Sequence, residues 1–239
     1  MSTKPSVFVI ESLGYEDERA QRYEGRILRE ILRLSGKLVR YIYIRTRKEL
    51  RFALQQFRKS DMRYLHISCH GSAHSIALTL DSLTFKEFGN LARPYLDGRR
   101  LFLSACEVAT DNLAREILLN SSCYSVIGPA DAIEFSDAAL IWASFYHLAF
   151  RMNPDGMNRR AIRSALGGTC TLFGVPFKYF RRFESQDGYE EVNLSPQPVD
   201  GAPSVSSKSR KHKVRGTGEA TGRGRTSDML ARASRSTGR

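Results

Sequence analysis

Two periodicities alternate along this chain. Short apolar runs bounded by turn residues predict buried strands, and stretches with apolar positions three and four apart predict amphipathic helices. Ser6–Ile10 is the first strand. A helix follows from about Glu16 to Leu34, with Tyr23, Ile27, Ile31 and Leu34 as its apolar stripe, Leu28 and Leu32 beside them, and Gly36 ending it. Leu38–Ile44 is the second strand. Thr46 and Glu49 have the spacing of a capping box, opening a helix that buries Leu50, Ala53, Leu54 and Phe57. Tyr64–Cys69 is the third strand and stops at His70-Gly71. Ile76–Leu80 and the residues after Asp81 read as a short hairpin outside the main sheet. Thr84 and Glu87 repeat the capping-box spacing, for a helix that must stop before Pro94. Arg100–Ala105 is the fourth strand and ends at Cys106. Asp111 is placed to cap a helix carrying Leu113, Ile117 and Leu118, and Tyr124–Gly128 is the fifth strand. Ser136 or Asp137 caps an amphipathic helix bearing Ala138, Ile141, Trp142, Phe145 and Leu148. Another helix carries Ala161, Ile162, Ala165 and Leu166 and ends at Gly167-Gly168, and Thr171–Phe183 has room for a last strand.

Strands alternating with helices predict βαβ units, a doubly wound α/β sheet, and helices on both of its faces. The expected domain is 1–184. After about Ser185 the apolar pattern stops, and from Gly201 onward the chain is rich in Gly, Ser, Thr, Arg and Lys, a composition that cannot offset its ordering entropy. Residues 185–239 are therefore expected to be a disordered basic tail. Much of the net charge of +12 belongs to it, since ten basic residues face two acidic ones from Gly201 on. Such a tail suits nucleic acid or another acidic surface through charge alone, or serves only to solubilise and tether. No apolar run is long enough for a membrane helix, and Met1–Ser6 leads straight into a strand without the apolar region of a secretory leader. The expectation is a cytoplasmic protein without membrane contact.

The candidate chemistry sits at two strand ends. In an open parallel sheet, reactive groups gather at the carboxyl ends of the strands. If the third and fourth strands are parallel neighbours, the imidazole of His70 and the thiol of Cys106 emerge side by side, as a cysteine–histidine nucleophilic pair. The backbone N–H groups of Gly71 and Cys106 then suit the oxyanion of a tetrahedral intermediate. The bland alternative is that both are ordinary strand-end residues. Of the four cysteines, Cys69, Cys123 and Cys170 lie in apolar surroundings and read as buried thiols. His66, His70 and His74 are spaced four apart, but a strand followed by Gly71 does not gather them into a metal site, and none is assigned. His147 reads as a boundary or core histidine.

His70-Gly71 after one strand and Ser104-Ala105-Cys106-Glu107 after the next resemble the caspase-like cysteine peptidases, specifically the CHAT branch that includes separase-like proteases. Asn112–Arg115, Val126–Gly128, Asp137–Leu148 and Ala161–Leu166 are similar to the family's later elements, so the likeness covers about Ser6 to Phe183. It implies a caspase-like three-layer αβα sandwich with a mostly parallel central sheet. It implies a cysteine endopeptidase that cleaves protein substrates through a thioester at Cys106, with His70 as general acid and no cofactor. Where the family carries a Trp-Pro segment with paired acids, this chain has Gly128–Asp137. Within it Asp131, Glu134 and Asp137 are candidates for contacting a basic substrate side chain, against the alternatives of loop solvation or a helix cap. The chain carries no sensor repeat, so a separate regulatory protein is the expected source of control. The competing expectation is a catalytically inactive scaffold that binds partners through its basic tail.

Overall fold

A computed structural model describes residues 3–183 and 188–197. In chain order its elements are β1 (Lys4–Glu11), α1 (Tyr15–Arg19), α2 (Glu24–Leu34), β2 (Val39–Tyr43), α3 (Arg47–Lys59), β3 (Met62–Ser68), β4 (His70–Gly71), β5 (Ser75–Ala77), β6 (Ser82–Thr84) and α4 (Phe85–Ala92). After a 3₁₀ turn at Arg93–Tyr95 come β7 (Arg100–Ser104), α5 (Asp111–Leu118), β8 (Ser125–Pro129), α6 (Phe135–Met152), α7 (Arg159–Phe173), β9 (Phe177–Arg182) and β10 (Tyr189–Leu194). The main sheet has seven strands in the order β10-β9-β8-β7-β3-β1-β2. Strands β2, β1, β3, β7 and β8 are parallel, and β9 and β10 close one edge antiparallel. A second small sheet, β4-β5-β6, stands apart from it, as the predicted hairpin requires.

The central strands β1, β3, β7 and β8 are buried on both faces, which is why they read as continuous apolar runs. Along β1, Phe8 and Ile10 enter one core with Leu50, Phe57 and Phe88, while Val7 and Val9 enter the other with Leu28, Trp142 and Phe145. Helices α3, α4 and α5 cover the first face and α2, α6 and α7 the second, so the molecule is a three-layer α/β sandwich about a mostly parallel sheet. Both capping boxes form: the Thr46 and Thr84 hydroxyls accept from the Glu49 and Glu87 amides at 3.3 Å, and each glutamate returns a bond to its cap.

Several elements depart from the sequence pattern. The single helix expected from Glu16 to Leu34 is two, because the chain passes through a left-handed residue at Gln21 (φ 55°). The apolar stripe is also rotated. Leu28 and Leu32 are buried, whereas Ile27 is 50% and Leu34 89% exposed. Gly25 explains the choice of face: a Cβ there would lie 3.0 Å from Val9 Cγ1, so α2 approaches β1 along the side that lacks one. Thr110, not Asp111, caps α5, accepting from the Leu113 amide. Asp111 instead binds Arg115 and the Tyr189 hydroxyl. Helix α6 begins at Phe135, ahead of Ser136 and Asp137, so neither caps it. Helix α7 runs through Gly167-Gly168 and stops at Gly174 (φ 69°). His147 is exposed rather than a boundary or core residue.

The ordered chain also extends past 184. Strand β10 pairs with β9 from Tyr189↔Arg182 to Leu194↔Phe177, so the expectation of disorder from 185 fails at Tyr189–Leu194. Residues 184–187 and 198–239, including the basic stretch from Gly201, lie outside the described residues. Among the described residues no helix is long and apolar enough to cross a membrane.

Candidate active site

Register places the two candidate side chains, His70 and Cys106. Strands β3 and β7 pair in parallel, with Ser68 opposite Ser104 as the last matched pair. His70 and Cys106 each follow two residues later, so they leave the sheet at the same edge and the same height. His70 then turns into the small sheet, opposite Ala77, with Gly71 opposite Ile76. Cys106 sits in a tight turn whose next residue, Glu107, is left-handed (φ 56°), a conformation that costs a side-chain-bearing residue energy and recurs at functional sites. Gly71 lies hard against this turn: a Cβ there would be 2.2 Å from Val108 Cγ1 and 3.2 Å from the Cys106 carbonyl oxygen. Only glycine allows the histidine strand and the cysteine turn to come this close. Both His70 and Cys106 line one cleft of about 260 Å³.

Each of the pair has its own partner in the resting arrangement. His70 Nε2 lies 2.7 Å from Oδ2 of Asp17 on α1, and the other oxygen of that carboxylate accepts from Arg22 at 3.0 Å. The imidazole meets the ring of Phe135 edge-on at 5.3 Å. The Cys106 thiol is directed to the carbonyl of Ile133 at 3.7 Å. Neither hydrogen bond joins His70 to Cys106, and such contacts are often loose before substrate binds.

Buried acids stand in and beside the cleft. Glu24, the first residue of α2, is 3% exposed and lines the cleft. Its Oε2 accepts from the Ser68 and Ser104 hydroxyls at 2.8 Å each, tying α2 to the ends of both site-bearing strands. Its Oε1 faces His66 Nε2 at 3.7 Å, too long for a hydrogen bond. His66 is fully buried, with Nδ1 3.2 Å from the Tyr146 hydroxyl and Trp142 edge-on at 5.0 Å. It is thus a core histidine, remote in role from the exposed His74, and no cluster of metal-ligating side chains occurs among the described residues. Beside Glu24, Glu11 accepts from the Gly25 amide at 2.6 Å and the Tyr41 hydroxyl at 2.7 Å. Burial raises the Glu11 carboxyl to about 7, although those two bonds pull the other way.

Of the three acids expected to meet a basic substrate side chain, Glu134 lines the cleft with its side chain exposed, next to Phe135. Asp131 and Asp137 are exposed and are not among the residues lining it. The remaining cysteines are buried as expected. Burial pushes the Cys69 and Cys123 thiols up to about 12 and raises that of Cys170. Asp17 and Glu24 were not legible as site residues. Asp17 sits in the run Glu16-Asp17-Glu18, which reads as a solvated helix face, and Glu24 falls on the face that the apolar stripe of Tyr23, Ile27, Ile31 and Leu34 leaves to Arg and Glu.

No family model matches the sequence, and no curated protein matches it. Solved structures similar in shape include a secreted C11 cysteine protease, "iotapain", from Bacteroides thetaiotaomicron. It is 11% identical, with 76% of this chain and 67% of that one covered, at a TM-score of 0.47. Caspase-1 from Spodoptera frugiperda is also 11% identical, with 82% of this chain and 88% of that one covered, at a TM-score of 0.47.

Proposed function

We propose that this chain is a caspase-like cysteine endopeptidase acting through His70 and Cys106. The observation that carries the reading is the common register: two strands paired at Ser68 and Ser104 each deliver one reactive group, two residues on, into the same cleft. In the proposed reaction the Cys106 thiol loses its proton to the imidazole and the sulfur attacks the substrate carbonyl carbon. The oxyanion forms within reach of the Gly71 and Cys106 amides. As the C–N bond breaks, His70 returns the proton to the leaving amine. Water, deprotonated by the same imidazole, then hydrolyses the thioester. All the groups this scheme needs are protein groups.

Glu134 is the acid best placed to meet a basic side chain of a bound protein substrate; Asp131 and Asp137 are candidates only for residues further along it. Control by a separate regulatory protein fits the resting arrangement, in which the thiol is engaged by the Ile133 carbonyl. The same contact favours one competing reading, a scaffold of this fold whose thiol stays bonded and inert, contacting acidic partners or nucleic acid through its basic tail. Digestion of a proteome-derived peptide library by the wild-type protein and by Cys106→Ala separates the two. Cleavage by the wild type alone supports the peptidase, and equal products from both variants reject it.

A further inference from the structure

We propose that Asp17 is the positioning residue for His70, making the site a Cys106–His70–Asp17 relay; this rests on the peptidase reading above. A carboxylate only accepts hydrogen bonds, so the 2.7 Å contact with Asp17 Oδ2 places the proton of the neutral imidazole on Nε2. The lone pair is then on Nδ1, the atom left to exchange a proton with Cys106 and the leaving amine. When the imidazole takes up that proton, the carboxylate stabilises the positive charge.

The fold delivers Asp17 to this point from two sides. Its neighbour Glu18 is turned the opposite way, where it binds Arg45 through both guanidinium contacts at 2.9 and 3.0 Å and accepts from the Tyr43 hydroxyl. The Leu13 amide donates to that same hydroxyl at 3.3 Å, anchoring the approach to α1. Helix α1 is therefore clamped to the end of β2 through one carboxylate while the next one inward holds the histidine. Asp17 itself is 8% exposed, and Arg22 binds its second oxygen, which fixes the plane of the carboxylate and tempers its charge. The other charged or titratable groups facing His70 across the cleft are Arg22 before α2, Glu24 on α2, Cys69 after β3, Cys106 after β7 and Glu134 before α6. Of these groups, Asp17 alone hydrogen-bonds the ring.

The test uses ¹⁵N-histidine NMR of the full chain, with His70 assigned by its loss in His70→Gln, together with the iodoacetamide alkylation rate of Cys106 read by peptide mass spectrometry. In the wild type the neutral His70 ring carries its proton on Nε2. In Asp17→Asn that tautomer preference weakens, and Cys106 alkylation at neutral pH slows severalfold. Asp17→Glu, which keeps the charge on a longer arm, falls between. An unmoved His70 tautomer and unchanged alkylation in Asp17→Asn overturn the role of Asp17 while leaving the peptidase reading intact. A wild-type Cys106 no faster than free cysteine overturns the nucleophile itself, and the relay with it.

Discussion

Ser68 and Ser104 face each other across the β3–β7 pair and donate to the same oxygen, Oε2 of Glu24, at 2.8 Å each. One buried carboxylate from α2 thereby locks together the ends of the two strands that carry His70 and Cys106. Removing it leaves two buried hydroxyls without their acceptor. Glu24→Ala is expected to destabilise the domain by about 2–3 kcal/mol, whereas Ser68→Ala and Ser104→Ala each cost about 1 kcal/mol. Denaturant unfolding monitored by Trp142 fluorescence measures all three.

Gly71 makes a second prediction. Its missing Cβ is what lets β4 lie on the Cys106 turn, and Val108, which a methyl would strike, is fully buried and cannot swing away. Gly71→Ala is expected to cost about 1–3 kcal/mol from overpacking. It should also slow reaction at Cys106 by roughly ten- to hundredfold through misplacement of His70. Melting temperature and alkylation rate, measured on the same sample, report the two effects separately.

Glu11 predicts an unusual pH dependence. Burial raises its folded-state carboxyl to about 7 from an ordinary 4.5, so between these pH values the folded chain holds a proton that the unfolded chain has released. Stability from this group is complete at the acid end and is lost as pH rises through 7, an effect on the order of 3 kcal/mol. Glu11→Gln should remove that slope and leave the variant relatively more stable at pH 8. Urea midpoints at pH 5, 6, 7 and 8 check it. The part-buried carboxylates held low by arginines, such as Glu18 and Glu190, act in the opposite sense and only in more acidic solution.

The three acids near α6 separate by position. Glu134→Gln is expected to reduce cleavage after basic residues roughly tenfold, the loss of about 1.4 kcal/mol of pairing. Asp131→Asn and Asp137→Asn, at exposed positions outside the cleft lining, should leave the preference for a basic residue at the cleaved bond unchanged. Cleavage-site profiling of the three variants distinguishes them.

What the sequence pattern conveyed well was local. The capping boxes at Thr46 and Thr84 need only residues three apart, and the apolar runs of β1, β3, β7 and β8 are continuous because both sheet faces are covered. The meeting of His70 and Cys106 at one edge also followed, since it depends on strand ends and parallel order alone. What was misread depends on contacts distant in sequence. The buried face of α2 is set by the approach of Gly25 to Val9, and β10, which carries the adjacent charges Glu190 and Glu191, holds its place through pairing with β9. Asp17 and Glu24 become site residues only once α1 and α2 fold back over the strand ends. In the sequence they are two more acids in helices rich in Arg and Glu.

The account turns on whether Cys106 is an activated nucleophile served by His70. The most direct measurement is the rate at which an electrophilic peptide probe labels each of the four cysteines in the wild type, in Cys106→Ala and in His70→Ala. Rapid labelling confined to Cys106 is expected, with none in Cys106→Ala and a rate roughly a hundredfold or more lower in His70→Ala. Labelling of Cys106 at the pace of a free thiol, unchanged by loss of the imidazole, would contradict it.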